Sequence, residues 1–508
     1  MTSLGCYSTP WAGKHRGWRP RCGLLVLTNR SPRFTAAVRL RVTGVDQSRG
    51  RADIRGGIVT KRRPTRRYDR REFLAYGAGV SATALLAACG GGGATNNPSV
   101  QNQGGNFGAG DTYDGPNVEL DFWNGFTGGD GPYMQKLIGD FAAENDNIAI
   151  KMNSIEWETY YQKVPAAVQV GKGPDIGIMH IDQLPTNAAR NVIVPLDDLA
   201  TALDLTKDDF SPVVWDAGIY NDARYGIPLD VHPLAFFYNK ATMEKGGLDP
   251  DKPPQTQDDL IAALEQLKSQ EIQGMWISPF LFTGGFMWMT VTWQNGGDLY
   301  NSDATSAAFN SEEGVAALQW LVSLIEDGYS PKNVAQDAEN VAFMDGRNAF
   351  VWNGIWNINP YDDTENLEWG VAPIPRIGQQ DAAWGGSHNF VIMNKPDQDP
   401  NKLEADKVFI SWISQHSADW AKAGQVPARQ SVQDSGAFKQ LGPQSIVASQ
   451  LPDVHFQPPV PGIGDAVPIL EGAVGDAVLL KSSPEDALAK AEQQVNQLLE
   501  ENAEKYGS

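Results

Sequence analysis

Cysteine is nearly absent: three occur in 508 residues, at positions 6, 22 and 89. Nothing after Cys89 can therefore form an internal disulfide, act as a catalytic thiol or build a Cys-based metal site. Histidine is also scarce, with six residues and no HExxH-like spacing. No Gly-x-Ser-x-Gly nucleophile elbow occurs, and Gly171-Lys172-Gly173 lacks the spacing of a phosphate loop. Positive charge is short where it would matter. The chain has 41 Lys+Arg against 61 Asp+Glu, and residues 1–88 hold 18 and 4 of these. That leaves 23 against 57 from residue 89 onward, a net charge of −34. A body this acidic repels nucleic acid and anionic lipid surfaces and favours neutral or cationic ligands. No cofactor motif is found, and none is expected.

What is present begins with a segment from Arg66 to Cys89. A basic head, Arg66-Arg67-Tyr68-Asp69-Arg70-Arg71, precedes an apolar run too short to span a bilayer. Arg70-Arg71-Glu72-Phe73-Leu74 resembles a twin-arginine export signal, and Leu86-Ala87-Ala88-Cys89 resembles a bacterial lipobox. The resemblance implies cleavage before Cys89, acylation of that cysteine and a mature protein tethered outside the cytoplasm. Residues 66–88 are thus expected to be the signal. Residues 1–65 are Arg-rich without a suitably placed apolar run, and are expected to be a non-native or leader extension, with Val59 a candidate start. Residues 89–116 are rich in Gly, Asn, Gln and Ser and are expected to form a flexible tether.

The 420 residues from Cys89 on suggest two domains, at ~100–200 residues each. Val118–Trp123 alternates like a strand, Tyr133–Glu144 carries apolar residues at helical spacing, and Ile148–Met152 alternates again. A helix over Tyr160–Val170 and a strand over Asp175–Met179 follow. Strand and helix in alternation predict a parallel, doubly wound α/β sheet, with ligands beyond the carboxyl ends of its strands. A second α/β unit is expected from Leu234–Tyr238, Thr256–Gln270, Glu312–Glu326, Gly370–Pro375 and Phe390–Met393, followed by helices over Leu403–Ser414 and Pro484–Ala503.

Several phrases then resemble a known family. They are Gly173-Pro174-Asp175-Ile176 leading to Asp182, Tyr225-Gly226-Ile227-Pro228, Phe237-Tyr238-Asn239-Lys240, Ala342–Phe350 before Trp352-Asn353-Gly354, Val371–Pro375 and Trp384-Gly385-Gly386. In this order they resemble the sugar-binding branch of the extracellular solute-binding proteins of ABC importers, over about residues 117–505. The resemblance implies an α/β fold of two lobes with a hinge and an interlobe ligand cleft. Lobe 1 is expected over 117–227 plus 337–374, and lobe 2 over 230–335 plus 385–508. It implies a monomeric receptor, lipid-anchored to the cell membrane, that hands a carbohydrate to ABC permease subunits and is not an enzyme. A receptor for a glycerol phosphodiester, or a secreted glycoside hydrolase with two carboxylates about 5–10 Å apart, remain the alternatives.

Sugar chemistry asks for polar groups around a ring's rim and flat aromatics on its faces. Many of the 15 Trp sit within a few residues of Gly or Asn, including Trp288, Trp293, Trp352, Trp356 and Trp384. For any one of them core packing is the better reading, and for the set it weakens. By resemblance, Asp182 and Asp230 accept sugar hydroxyls, Trp356 and Trp384 stack on the sugar, Gly385 and Gly386 let backbone amides approach, and Arg429 donates. Helix capping or solvation is the plain alternative for both aspartates. Asn124, Tyr161, His232 and His388 are further candidates.

Overall fold

A computed structural model describes residues 107–506. The expected leader, signal and acylated Cys89 lie outside them. Among the described residues, thirteen strands pair into two main sheets and one small hairpin. β1 (Val118–Asn124), β2 (Ile148–Ser154), β3 (Ile176–His180), β6 (Ile227–Pro228) and β11 (His388–Ile392) form the first sheet, in the order β2-β1-β3-β11-β6. β4 (Ile219–Tyr220) and β5 (Ala223–Arg224) are the hairpin. β7 (Asp230–Asn239), β8 (Phe350–Gly354), β9 (Trp369–Ala372), β10 (Ala383–Gly386), β12 (Val426–Pro427) and β13 (Val454–His455) form the second sheet.

The first sheet starts as the alternation predicts. β1 pairs in parallel with β2 and β3, and the helices Gly131–Glu144 and Trp157–Gln169 make the crossovers. Leu120 and Phe122 of β1 point into the core, as do Met134, Leu137 and Phe141 of the first helix. β11 then enters antiparallel between β3 and β6.

β7 is the central strand of the second sheet, and all ten of its residues are buried. Its period of two divides them between the two hydrophobic cores. Val231, Ala235 and Phe237 pack with the first core, while Leu234, Phe236 and Tyr238 pack with the second. A strand covered on both faces reads as a continuous apolar run rather than an alternation. Along its length β7 hydrogen-bonds to β12, β10, β8 and β9.

Two expected segments lie elsewhere. Residues 337–374 were expected with lobe 1, yet β8 and β9 pair with β7 in the second sheet. β11 was expected in lobe 2 and completes the first sheet. Neither partner is readable from the strand's own residues, because short buried strands look alike. The end of the expected tether is also docked. Phe107 and Tyr113 pack on the core, Gly108 N donates to Glu404 Oε1 at 2.6 Å, and Asn147 Nδ2 donates to the Tyr113 carbonyl at 3.0 Å. Two aromatic anchors outweigh the polar composition around them. Among the described residues, no helix is long and apolar enough to cross a membrane.

Candidate functional site

The chain passes between the sheets at Leu229, from β6 to β7, and at Ser387, from β10 to β11. These crossings are bonded together. Leu229 N donates to the His388 carbonyl at 2.8 Å, and Ile181 N donates to the Ser387 carbonyl at 3.0 Å. Asp230 sits at the centre, completely buried. Its Oδ1 accepts from His232 Nδ1 at 3.0 Å and from His388 N at 3.1 Å. Its Oδ2 accepts from His388 Nδ1 at 2.8 Å and from Trp420 Nε1 at 2.7 Å. A carboxylate offers about four lone-pair sites, and here all four are used. Burial alone would raise this carboxyl. The neighbouring His388 and the bonds from His232 and His388 outweigh it and hold Asp230 far below the usual carboxylate range.

A third imidazole joins through strand register. His180, the last residue of β3, stands opposite His388 in the β3–β11 pairing. Ring centroids are 4.9 Å apart for His180 and His388, and 4.4 Å for His232 and His388. Tyr161 Oη lies 2.7 Å from His180 Nδ1 and accepts from His180 N at 3.0 Å. Burial, then the neighbouring His388, pushes both His180 and His232 below the ordinary imidazole range. Burial, then the charge of Asp182, pushes the Tyr161 hydroxyl up, so it keeps its proton.

Aromatic rings extend from this cluster into both halves. Towards the first sheet, Trp157 lies parallel to His388 at 5.6 Å and to Tyr161 at 5.7 Å. The Glu156 carboxylate caps the helix that carries both residues, accepting from Glu158 N and Thr159 N. Towards the second, Trp356 meets His232 at 6.1 Å and Phe282 at 5.3 Å. Phe282 then leads through Phe286, at 5.7 Å, to Trp384, stacked on Phe286 at 3.6 Å. Phe282 lies in a π-helical turn, Leu281–Gly285, a rare geometry often found at functional sites. Trp157, Tyr161, His180, Phe282, Trp356 and Trp384 are all half-buried. Trp157 and Trp356 each lie against a glycine. A Cβ on Gly125 would fall 2.0 Å from the Trp157 ring, and one on Gly354 would fall 2.0 Å from Trp356.

The fold and this lined crossing can be set beside known proteins. The model of the bacterial extracellular solute-binding proteins matches residues 136–442, more than half of the chain. The chain belongs to that family. A provisionally named binding protein of Brucella abortus (strain 2308) is 25% identical over 378 residues, covering 71% of this chain and 89% of that one. The ABC-transporter solute-binding protein of Thermotoga lettingae, solved with α-D-tagatose, is 25% identical with a TM-score of 0.66, over 75% of this chain and 99% of that one. UgpB of Mycobacterium tuberculosis, solved with glycerophosphocholine, is 20% identical with a TM-score of 0.66, over 76% and 99%. The two-lobed architecture of these solute-binding proteins is the architecture found here.

Within this solute-binding protein, the expected site residues divide. His232, His388, Tyr161 and Trp356 come together at the crossing, as described above. Asp182 is partly exposed in the turn after β3, beside Gly464 of the second lobe. Its Oδ2 accepts from Gln183 Nε2 at 3.0 Å, and burial raises its carboxyl.

Other assignments need correction. Asp230 is at the site but has no lone pair left for a sugar hydroxyl, so it positions histidines instead. Gly385 and Gly386 admit the protein's own side chains. A Cβ would fall 2.5 Å from Val454 Cγ1 at the first and 2.3 Å from His232 Nε2 at the second. Arg429 is held at 2.6 Å by Asp209 and faces Phe210, so its charge is already matched. Asn124 is fully buried, and its Oδ1 accepts from Phe126 N and Ser154 Oγ. Trp288 is a core residue, with Nε1 donating to the Gly314 carbonyl at 2.9 Å. Trp293 and Trp352 are buried in the same core. Trp384 has one face covered by Phe286, which leaves at most the other for a ligand.

His180, Trp157, Phe282 and Trp420 were missed. The rule that placed Asp182 beyond β3 would have found His180, two residues earlier. No sequence signal marks Trp420, which reaches Asp230 from a short helix, Ser417–Trp420.

Proposed function

We propose that this protein is the extracytoplasmic receptor of an ABC importer and binds a small sugar or polyol between its lobes. One observation carries the reading: a run of aromatic rings, most of them half-buried, joined through three imidazoles and the buried Phe286, crosses from one lobe to the other at the hinge. Such a surface offers flat faces to C–H groups and nitrogen donors and acceptors to hydroxyls. The α-D-tagatose held by the Thermotoga lettingae relative supports a ligand of this chemistry. A phosphate-bearing solute would want cations at the site, and Arg429 is committed to Asp209. The lobes are proposed to close on the ligand, since a solute touching both favours the closed state. Asp182 and Gln183 already meet Gly464 across the lobes, and Thr186 Oγ1 accepts from Gly462 N at 2.7 Å. The lipid anchor on Cys89 and the absence of catalysis belong to the same proposal.

The test is a thermal-shift screen of the protein against monosaccharides, oligosaccharides and glycerophosphocholine, followed by calorimetry and small-angle scattering on any hit. A ligand at 100 times its Kd stabilises the native state by about 2.7 kcal/mol. A sugar that raises the melting temperature and shrinks the radius of gyration supports the reading. A response to glycerophosphocholine alone, or hydrolysis of the bound sugar, overturns it.

A further inference from the structure

The three imidazoles at the crossing are arranged for more than hydrogen bonding. One ring nitrogen from each of His180, His232 and His388 lies within 4.8 Å of the other two. Each Nδ1 already has a partner: Asp230 Oδ1 for His232, Asp230 Oδ2 for His388 and Tyr161 Oη for His180. A carboxylate only accepts, so Nδ1 of His232 and of His388 must carry the proton. In the neutral rings that leaves a lone pair on each Nε2. Tyr161 Oη likewise has a lone pair for a proton on His180 Nδ1. A Cβ at Gly386 would land 2.3 Å from His232 Nε2, so a larger residue there would block that nitrogen.

We propose that His180, His232 and His388 bind a divalent transition-metal ion of the zinc type through their Nε2 atoms, with Asp230 and Tyr161 orienting the rings. Three histidines with a fourth position open to water or solute is a recurrent zinc arrangement. A carboxylate or hydroxyl on the far nitrogen of each ligating ring is the usual outer support. The donor set is all imidazole, which suits zinc, copper or nickel and not calcium or magnesium. Asp230 supplies one negative charge beside the dication. Two nitrogens on a tetrahedral zinc stand about 3.4 Å apart, given Zn–N of 2.0–2.1 Å. A metal bound among ring nitrogens up to 4.8 Å apart draws each ring in by under about 1 Å. His180 is half-buried and lies on the first sheet, while His232 lies on the second. A metal here therefore ties the lobes together at the hinge, whether or not the cleft takes a sugar.

The experiment titrates ZnCl2 into chelator-treated full-length protein by calorimetry, with CoCl2 titrated in parallel and followed by visible absorption. One saturable site per chain is expected, with cobalt bands of tetrahedral intensity. His180→Ala and His388→Ala are each expected to lower zinc affinity at least tenfold. Zinc bound equally by wild type and both variants overturns the proposal, as does no saturable binding at all. Should a variant fail to fold, zinc-edge X-ray absorption on the wild type decides the matter. Three imidazole nitrogens at about 2.0–2.1 Å support the site, and a water-only shell or sulfur ligands from Cys6, Cys22 or Cys89 overturn it. The sugar screen is run on metal-stripped protein, so failure of the receptor reading and failure of the metal site are read separately.

Discussion

Asp230→Asn tests whether one buried carboxylate holds the crossing together. The substitution keeps the shape and exchanges one acceptor oxygen for a donor amide. Wild-type Asp230 accepts four hydrogen bonds of 2.7–3.1 Å. The amide oxygen of asparagine can keep two of these. If Oδ1 is kept, the new NH2 faces His388 Nδ1 and Trp420 Nε1. His388 can move its proton to Nε2 and accept, whereas the Trp420 indole only donates. One stranded buried donor costs about 1–3 kcal/mol, and the remaining bonds lose their charge assistance. The sum is a loss of about 2–5 kcal/mol, a large share of the ~5–15 kcal/mol that holds a domain folded. Urea denaturation at pH 7, followed by tryptophan fluorescence, measures it. Trp420→Phe in the Asp230→Asn background should recover part of the loss, because it removes the stranded donor. A loss below about 1 kcal/mol, or no coupling between the two changes, would refute the saturated-carboxylate account.

Other consequences are more local. Glu339 is 2% exposed with Oε2 unpartnered, and burial raises its carboxyl to about 7. Its folded value lies above its unfolded one, so its stabilising contribution is whole below the unfolded value and is lost as pH rises through about 7. Glu339→Gln should therefore be neutral at pH 4 and more stable than wild type by up to about 3 kcal/mol at pH 8.5, in paired urea melts. Gly386→Ala places a Cβ 2.3 Å from His232 Nε2, and should cost about 1–3 kcal/mol of stability by overpacking; an unchanged melt would show that the ring yields freely. Trp384→Ala should weaken sugar binding by about 1–3 kcal/mol, by titration calorimetry with circular dichroism as the folding control. Unchanged affinity with a lower melting temperature would assign Trp384 to packing on Phe286 alone. Cys89→Ala should release the protein from the membrane or leave it unprocessed, and an unmodified Cys89 in mass spectra of the wild type would remove the proposed anchor.

The sequence by itself carried the local periodicities and the resemblance to the family. β1, β2, β3 and the helices between them were legible because alternation and helical spacing are short-range patterns, complete within a dozen residues. The helix Glu312–Glu326 was legible to the residue for the same reason. Asp230, His232 and His388 could be named as candidates, but not their roles. A carboxylate's availability depends on how many donors surround it, and two of Asp230's four bonds come from His388, with one more from Trp420. Only the tertiary structure decided which sheet β8, β9 and β11 join, because any short apolar strand can satisfy several edges. It alone decided the histidine cluster. His180 and His388 are 208 residues apart in sequence and become neighbours through the antiparallel register of β3 and β11. Long-range pairing of this kind leaves no periodic mark on the chain, and the site lies where two such pairings meet.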